Sequence, residues 1–283
     1  MHKKLTLMAL VAVSLVPAVS CQQSPAIHPG KTEFATVQSW PVIQPGDVSL
    51  QNFRPFRAVY ERNYTQGLGP GAGEPRTDRV IITAERVGWH GIPAIAISLT
   101  DTGAPEFGDT MFRGMYSVIR EDDMTVLFEL GPLPGTGKDY YVARFEGEQG
   151  MVNSVTTATG EVDFQEIPLP GPGFGPGTWV MANAGLSPGR KLRVDPVYSS
   201  KANALAGFTP IGLVVEQETF TSLAGVDYAA WAVDYTSNPS GSIMLRRYLV
   251  DTPPYVLGTV RIDLDTGERA DRLRLMEVTV FDE

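Results

Sequence analysis

Between Val256 and Val280 the chain alternates with a period of two, and that pattern leaves little freedom of fold. Val256, Val260, Ile262 and Leu264 fall on one face of an extended strand, and Leu257, Thr259, Arg261, Asp263 and Asp265 on the other. Asp265-Thr266-Gly267-Glu268 supplies a tight turn, and Leu273 to Val280 returns as a second apolar strand. The stretch reads as a β-hairpin with one buried face. Leu273 and Leu275 differ in parity from Met276, Val278 and Val280, which predicts a β-bulge near Leu275.

The same device recurs along the chain. Phe56–Tyr60, Val80–Val87, Ile95–Leu99, Met111–Ile119 and Tyr141–Phe145 read as strands, with Met124, Val126, Phe128 and Leu130 alternating on one face of another. Further pairs are expected at Met151–Thr157 with Glu161–Ile167, and at Ile211–Val215 with Tyr228–Tyr235, the latter turning Trp231, Val233 and Tyr235 inward. The 22 prolines and 29 glycines are dispersed among these runs as turn residues. Pro168–Gly177 is the sharpest shift of composition and is read as a crossover within one domain. Thr178 is then placed to cap a short helix through Trp179, Met181, Ala182 and Leu186. The expected architecture is mostly β, an antiparallel curled sheet forming a barrel or half-barrel with one or two short helices; a β-sandwich is the alternative.

The N-terminus reads as an address. Lys3 and Lys4 precede an apolar run, Leu5–Val16, too short to span a bilayer, and Ala18-Val19-Ser20 offers small residues before Cys21. Cys21 is the sole cysteine, so no internal disulfide is possible, and lipidation gives a lone exported cysteine a purpose. Residues 1–20 are read as a signal peptide, 21–46 as a lipidated N-terminus and tether, and 47–283 as a single β domain. Trp40 is the one tether residue expected to tuck against that domain. Gln22 and Gln23 follow the cysteine in place of aspartate, and by resemblance to lipoprotein sorting this implies the outer membrane of the bacterial envelope, facing the periplasm. The membrane partner is thus an N-terminal lipid anchor. A formal net charge of -9 argues against nucleic acid, whose phosphates need Lys and Arg to displace counterions.

In the C-terminal half a family resemblance rests on short motifs in a fixed order. Leu186-Ser187-Pro188-Gly189-Arg190-Lys191-Leu192 comes first, then Val215-Glu216-Gln217-Glu218, Gly225 and Ala230-Trp231-Ala232-Val233. Tyr248-Leu249-Val250-Asp251 with Pro254-Tyr255-Val256 follows, then Asp265-Thr266-Gly267-Glu268. This order resembles exported bacterial β-proteins described only as domains of unknown function. They are similar in architecture to the periplasmic lipoprotein-localisation carriers, whose curved sheet wraps round acyl chains. The resemblance spans Phe56 onward, best from Phe145, and brings no catalytic residues with it. It implies a curled sheet and, by analogy, a hydrophobic small molecule or an envelope protein as partner.

Candidate chemistry is sparse. One domain histidine, His90, and a terminal cysteine cannot form a zinc site, and no metal or cofactor is expected. Asp263-x-Asp265-x-Gly267 begins like a calcium loop but places Arg274 where a bidentate glutamate is needed. Gly131–Lys138 lacks phosphate-loop spacing, and no Gly-x-Ser-x-Gly elbow accompanies His90. No catalytic residue is therefore assigned. Glu121-Asp122-Asp123 and Glu216/Glu218 are the carboxylates an envelope hydrolase would have to use. The candidate ligand-lining residues are the aromatics Trp179, Tyr228, Trp231, Tyr235, Tyr248 and Tyr255, which a curled sheet brings round an apolar space.

Overall fold

The computed structural model describes residues 34, 36–50, 52–64, 76–101, 114–132, 140–146, 149–156, 161–168, 173–195, 197–201, 204–236 and 241–282. Residues 1–20, read above as a signal peptide, Cys21 and most of Gly131–Lys138 lie outside these residues. The first run of strands is β1 (Val42–Ile43), β2 (Phe56–Tyr64), β3 (Arg76–Trp89), β4 (Ile92–Asp101), β5 (Gly114–Arg120), β6 (Val126–Pro132), β7 (Tyr140–Glu146), β8 (Gln149–Thr156) and β9 (Glu161–Pro168). The helix α1 (Gly177–Ala182) leads to the second: β10 (Lys191–Val194), β11 (Val197–Lys201), β12 (Ala204–Phe208), β13 (Ile211–Thr221), β14 (Asp227–Thr236), β15 (Ile243–Leu249), β16 (Val256–Asp263) and β17 (Arg269–Val280).

Fifteen of these strands form one open curled sheet in the order β1-β10-β13-β14-β15-β16-β17-β2-β3-β4-β5-β6-β7-β8-β9, and β11–β12 pair separately. The chain is thus two antiparallel meanders, β2–β9 and β13–β17, spliced where β17 pairs with β2. Every ladder in the large sheet is antiparallel except β1–β10. This is a single curled sheet and not the alternative sandwich. The Pro168–Gly177 crossover carries the chain from β9 at one end of the sheet to β10 near the other.

The hairpin that dominates the sequence is β16–β17, and it lies at the middle of the sheet. The expected bulge occurs between Leu275 and Glu277, where β17 meets β2. A second lies between Thr259 and Val260. The hairpin differs from expectation in burying both faces. Leu257 joins the main core, while Ile262 packs with Phe34, Val37, Trp40, Ile211 and Met244 on the opposite side. The cover on that side is the N-terminal segment itself. Residues 34–46, read above as the end of a tether, dock on the sheet through Phe34 and Trp40 (ring centroids 5.7 Å apart) and the two-residue strand β1. Burying those aromatic rings outweighs the entropy of a free tail, at roughly 1.5–3 kcal/mol per large apolar side chain.

Helix α1 also departs from expectation. It runs only from Gly177 to Ala182, and Pro176 occupies the cap position. Thr178 lies inside the helix, and its hydroxyl accepts a hydrogen bond from Arg247. The helix ends at Asn183, whose side-chain amide donates to the Trp179 carbonyl oxygen, 2.9 Å, before Leu186 is reached.

One close approach in the central hairpin is open to test. A Cβ at Gly258 would lie 2.6 Å from Cε2 of Phe220 and 3.1 Å from the Leu273 carbonyl oxygen. The Phe220 ring is itself held against Tyr248, centroids 5.0 Å apart. Gly258→Ala is expected to cost about 1–3 kcal/mol in denaturant unfolding, the range for overpacking. Wild-type stability in that variant would show that Phe220 yields freely.

Candidate functional site

The inner face of the sheet carries a core that runs through both meanders and takes α1 with it. At its centre Phe56, Trp179 and Tyr255 pack together: Phe56–Trp179 at 5.6 Å, Trp179–Tyr255 at 4.9 Å and Phe56–Tyr255 at 6.1 Å between centroids. Tyr60 donates its hydroxyl to the Val256 carbonyl oxygen, 2.8 Å, in a fully buried bond. Burial pushes the phenol pKa values of Tyr60 and Tyr255 well above the ordinary tyrosine value. Both phenols therefore serve as neutral hydrogen-bonding and packing groups.

Beside this cluster an apolar cavity of about 270 Å³ opens between β3–β6 and the segment entering α1. Cross-strand register builds its floor. Ile82 faces Leu99, Leu99 faces Met115, Ile97 faces Ser117, and Ser117 faces Glu129. Pro176, Trp179 and Val197 close the opposite wall. The segment before α1 is clamped to β6: the Val126 amide donates to the Gly173 carbonyl, 2.9 Å, and the Gly175 amide to the Met124 carbonyl, 3.1 Å. Gly175 permits the approach, because a Cβ there would lie 2.3 Å from the Ile119 methyl Cγ2. Two polar side chains, Ser117 and Glu129, reach this apolar wall, and Met115, 36% exposed, stands at the rim.

The sequence-predicted aromatics divide. Trp179 lines the cavity and Tyr255 packs behind it. Tyr235 lines a separate open cleft of about 410 Å³ with Ser242, Ile243, Leu245 and Arg272. Tyr228, Trp231 and Tyr248 are half-buried against the main core, and Tyr248 stacks on Phe220. The structure thus joins Trp179 and Tyr255 into one site and leaves the other four aromatics along the β13–β15 side. The hydrolase carboxylates do not converge. Glu121 is bound to Nε of Arg86 at 2.9 Å, Asp123 accepts from the Thr125 amide and hydroxyl, and Glu218 lies 3.8 Å from Arg246. Asp263 accepts the amides of Asp265 and Thr266, at 3.0 and 3.1 Å. Those hydrogen bonds hold its pKa below the usual aspartate value, as a turn residue does.

Glu129 was hidden by a bulge. Expecting Val126, Phe128 and Leu130 on one face sends Glu129 to the other, among solvated residues. Instead Ile119 pairs with Val126 and Val118 with Phe128, so Leu127 is the extra residue. Val126 and Glu129 therefore share the inner face, and Phe128 faces away. The available signal was the lone acid within Val126–Leu130.

Two arginines on β15 brace the site from the far side. Arg247 turns toward α1, donates to Thr178 and lies 3.9 Å over the Tyr235 ring. Burial lowers its guanidinium pKa, and Tyr235 opposes that shift. Arg246 turns the other way and grips Asp234 through two bonds, 2.8 and 3.2 Å. Burial works against its charge, but the hydrogen bond and charge of Asp234, with Glu218 behind, raise its pKa overall.

No family model matches the chain, and no curated protein matches it. Among solved structures, it is similar to a β-barrel-like protein of a domain of unknown function, DUF1849, from Brucella abortus. The identity is 11% and the TM-score 0.46, over 83% of this chain and all of that one (100%). The site is accordingly read from its own residues.

Asp234 is only 3% exposed at its side chain, so removing its charge leaves the Arg246 guanidinium to the more distant Glu218, 3.8 Å away. Asp234→Asn is expected to lower unfolding free energy by about 3 kcal/mol, as for a broken buried pair. A loss below about 1 kcal/mol, the range of surface pairs, would mean the pair is effectively solvated.

Proposed function

We propose that the protein is a non-enzymatic binding protein of the bacterial cell envelope. In this reading a lipid on Cys21 holds it at the outer membrane, and the cavity between β3–β6 and α1 takes a hydrophobic ligand. The observation that carries the reading is the cavity itself: about 270 Å³, walled by Ile82, Ile97, Leu99, Val126 and Trp179. That is close to the lower end of the roughly 300–1,000 Å³ of small-molecule sites. Apolar walls with a few placed polar groups are the usual composition of such sites. Ser117 and Glu129 are the polar side chains placed in that wall. A second reading, docking of an envelope protein on a sheet edge, is supported by β9. This eight-residue strand ends the sheet, pairing only with β8 among the described residues.

Native mass spectrometry tests the ligand. The chain from Gln22 onward, purified from periplasm without detergent, is expected to carry or take up one apolar molecule. Met115→Trp at the rim is expected to reduce that uptake several-fold. An empty mass that takes up neither neutral lipid nor the uncharged dye phenylnaphthylamine would overturn the reading. The anchor is tested separately in the full chain. Cys21→Ser is expected to move the protein from the membrane fraction to the soluble periplasm, and persistence in the membrane would exclude a lipid at Cys21.

A further inference from the structure

The strands that floor the cavity have a second face, and it is built differently. Register places Ala94 opposite Arg120, Val118 opposite Phe128 and Phe128 opposite Arg144. Ala94, Val118 and Leu127 are buried there as a small core of their own, with Trp89 and Phe128 packed against it. Above that core lies a pocket of about 430 Å³ whose walls include Trp89, His90, Arg120, Phe128 and Arg144. The Trp89 and Phe128 rings lie 5.1 Å apart, and His90 stands edge-on to Trp89 at 5.2 Å. His90 is fixed in this position by a turn in which it and Gly91 both have positive φ, 48° and 83°.

The charge pattern decides what the pocket fits. The chain has a formal net charge of -9, yet among the described residues no carboxylate lines this pocket. Glu85, which acts on Tyr116, lies further along the same face and outside the walls. Among the described residues, neither the half-buried Arg120 nor the exposed Arg144 has an ion pair, hydrogen bond or ring contact through its side chain. Two unengaged guanidinium groups and an imidazole therefore border an aromatic wall. A guanidinium offers a planar fork of donors that matches a carboxylate or phosphate, and the rings offer faces to a flat apolar body.

We propose that this pocket is a second binding site, for a small amphipathic anion: an apolar, ring-bearing body with one carboxylate, phosphate or similar oxyanion. Its volume lies within the range of small-molecule sites. It is separate from the cavity of the opposite face, with which it shares no lining residue.

The test compares two dyes that share one aromatic body, anilinonaphthalene sulfonate, which is anionic, and phenylnaphthylamine, which is neutral. They are titrated by fluorescence against the chain from Gln22 onward. The sulfonate is expected to bind about tenfold more tightly at this pocket, the worth of a charge-assisted hydrogen bond. Replacing both arginines, Arg120→Gln with Arg144→Gln, is expected to remove that advantage and leave the neutral dye unaffected. Among the described residues neither side chain has partners to lose, so both variants are expected to keep the fold, which circular dichroism verifies. Met115→Trp, which blocks the other cavity, is expected to leave sulfonate binding intact. The proposal fails if the double variant binds the sulfonate as well as wild type, or if Met115→Trp abolishes its binding. It also fails if the protein ignores the sulfonate but binds anionic phospholipid vesicles, which would make this face a membrane contact.

Discussion

The ladder between β17 and β2 holds the molecule together. Each meander alone presents a sheet with a long raw edge, and joining them converts two edges into one continuous inner surface. Tyr60 and Leu275 face each other across that seam, both fully buried. The Tyr60 hydroxyl reaches on to the Val256 carbonyl and ties in the neighbouring hairpin. Phe56, at the other end of the same ladder, opposes Val280 and carries the contacts to Trp179 and Tyr255. The helix, the cavity wall and the central hairpin therefore take their positions from residues of β2. A sheet of this width needs such a fixed spine, since twist accumulates from strand to strand.

Bulges give the sheet two usable faces. Each added residue shifts the side-chain phase by one, which sends apolar groups to the side opposite the one simple alternation assigns. At β5–β6 the shift puts Val126 and Glu129 into the cavity and leaves Phe128 to build the aromatic wall behind it. One strand can thereby serve an acidic, apolar recess on one side and a basic, aromatic one on the other. Two recesses of different lining thus lie back to back, separated by the thickness of a sheet.

Much of the fold was legible because period-two alternation and turn residues are local signals. The strands from Phe56 to Ile119 and the central hairpin follow from them, as does the parity break at Leu275 that became a bulge. The bulge at Leu127 left no such trace, because Leu127 is itself apolar and disturbs no pattern; with it went Glu129. Thr178 looked like a cap because caps are read from chemistry, while the position was decided by Pro176 and by the demand of Arg247 for an acceptor. The docked segment 34–46 reads as loop because its anchoring residues, Phe34, Val37 and Trp40, meet partners more than 150 positions away. Partners such as Arg120 and Ala94, paired across neighbouring strands, or the Trp89 and Phe128 rings, which meet from β3 and β6, lie on different strands, and sequence alone does not state which strands are neighbours.

The position of β2 has a consequence for the order in which the structure can be made. Its partner on one side, β3, follows it closely, but its partner on the other is β17, the far strand of the second meander, and Tyr60 awaits a carbonyl 196 residues downstream. A chain emerging from its N-terminus holds β2 as an exposed edge until β17 is available. Pairings this distant in sequence slow folding and leave the chain extended in the interval. The seam thus acts as a timing device: the two meanders stay unjoined until β17 has been made.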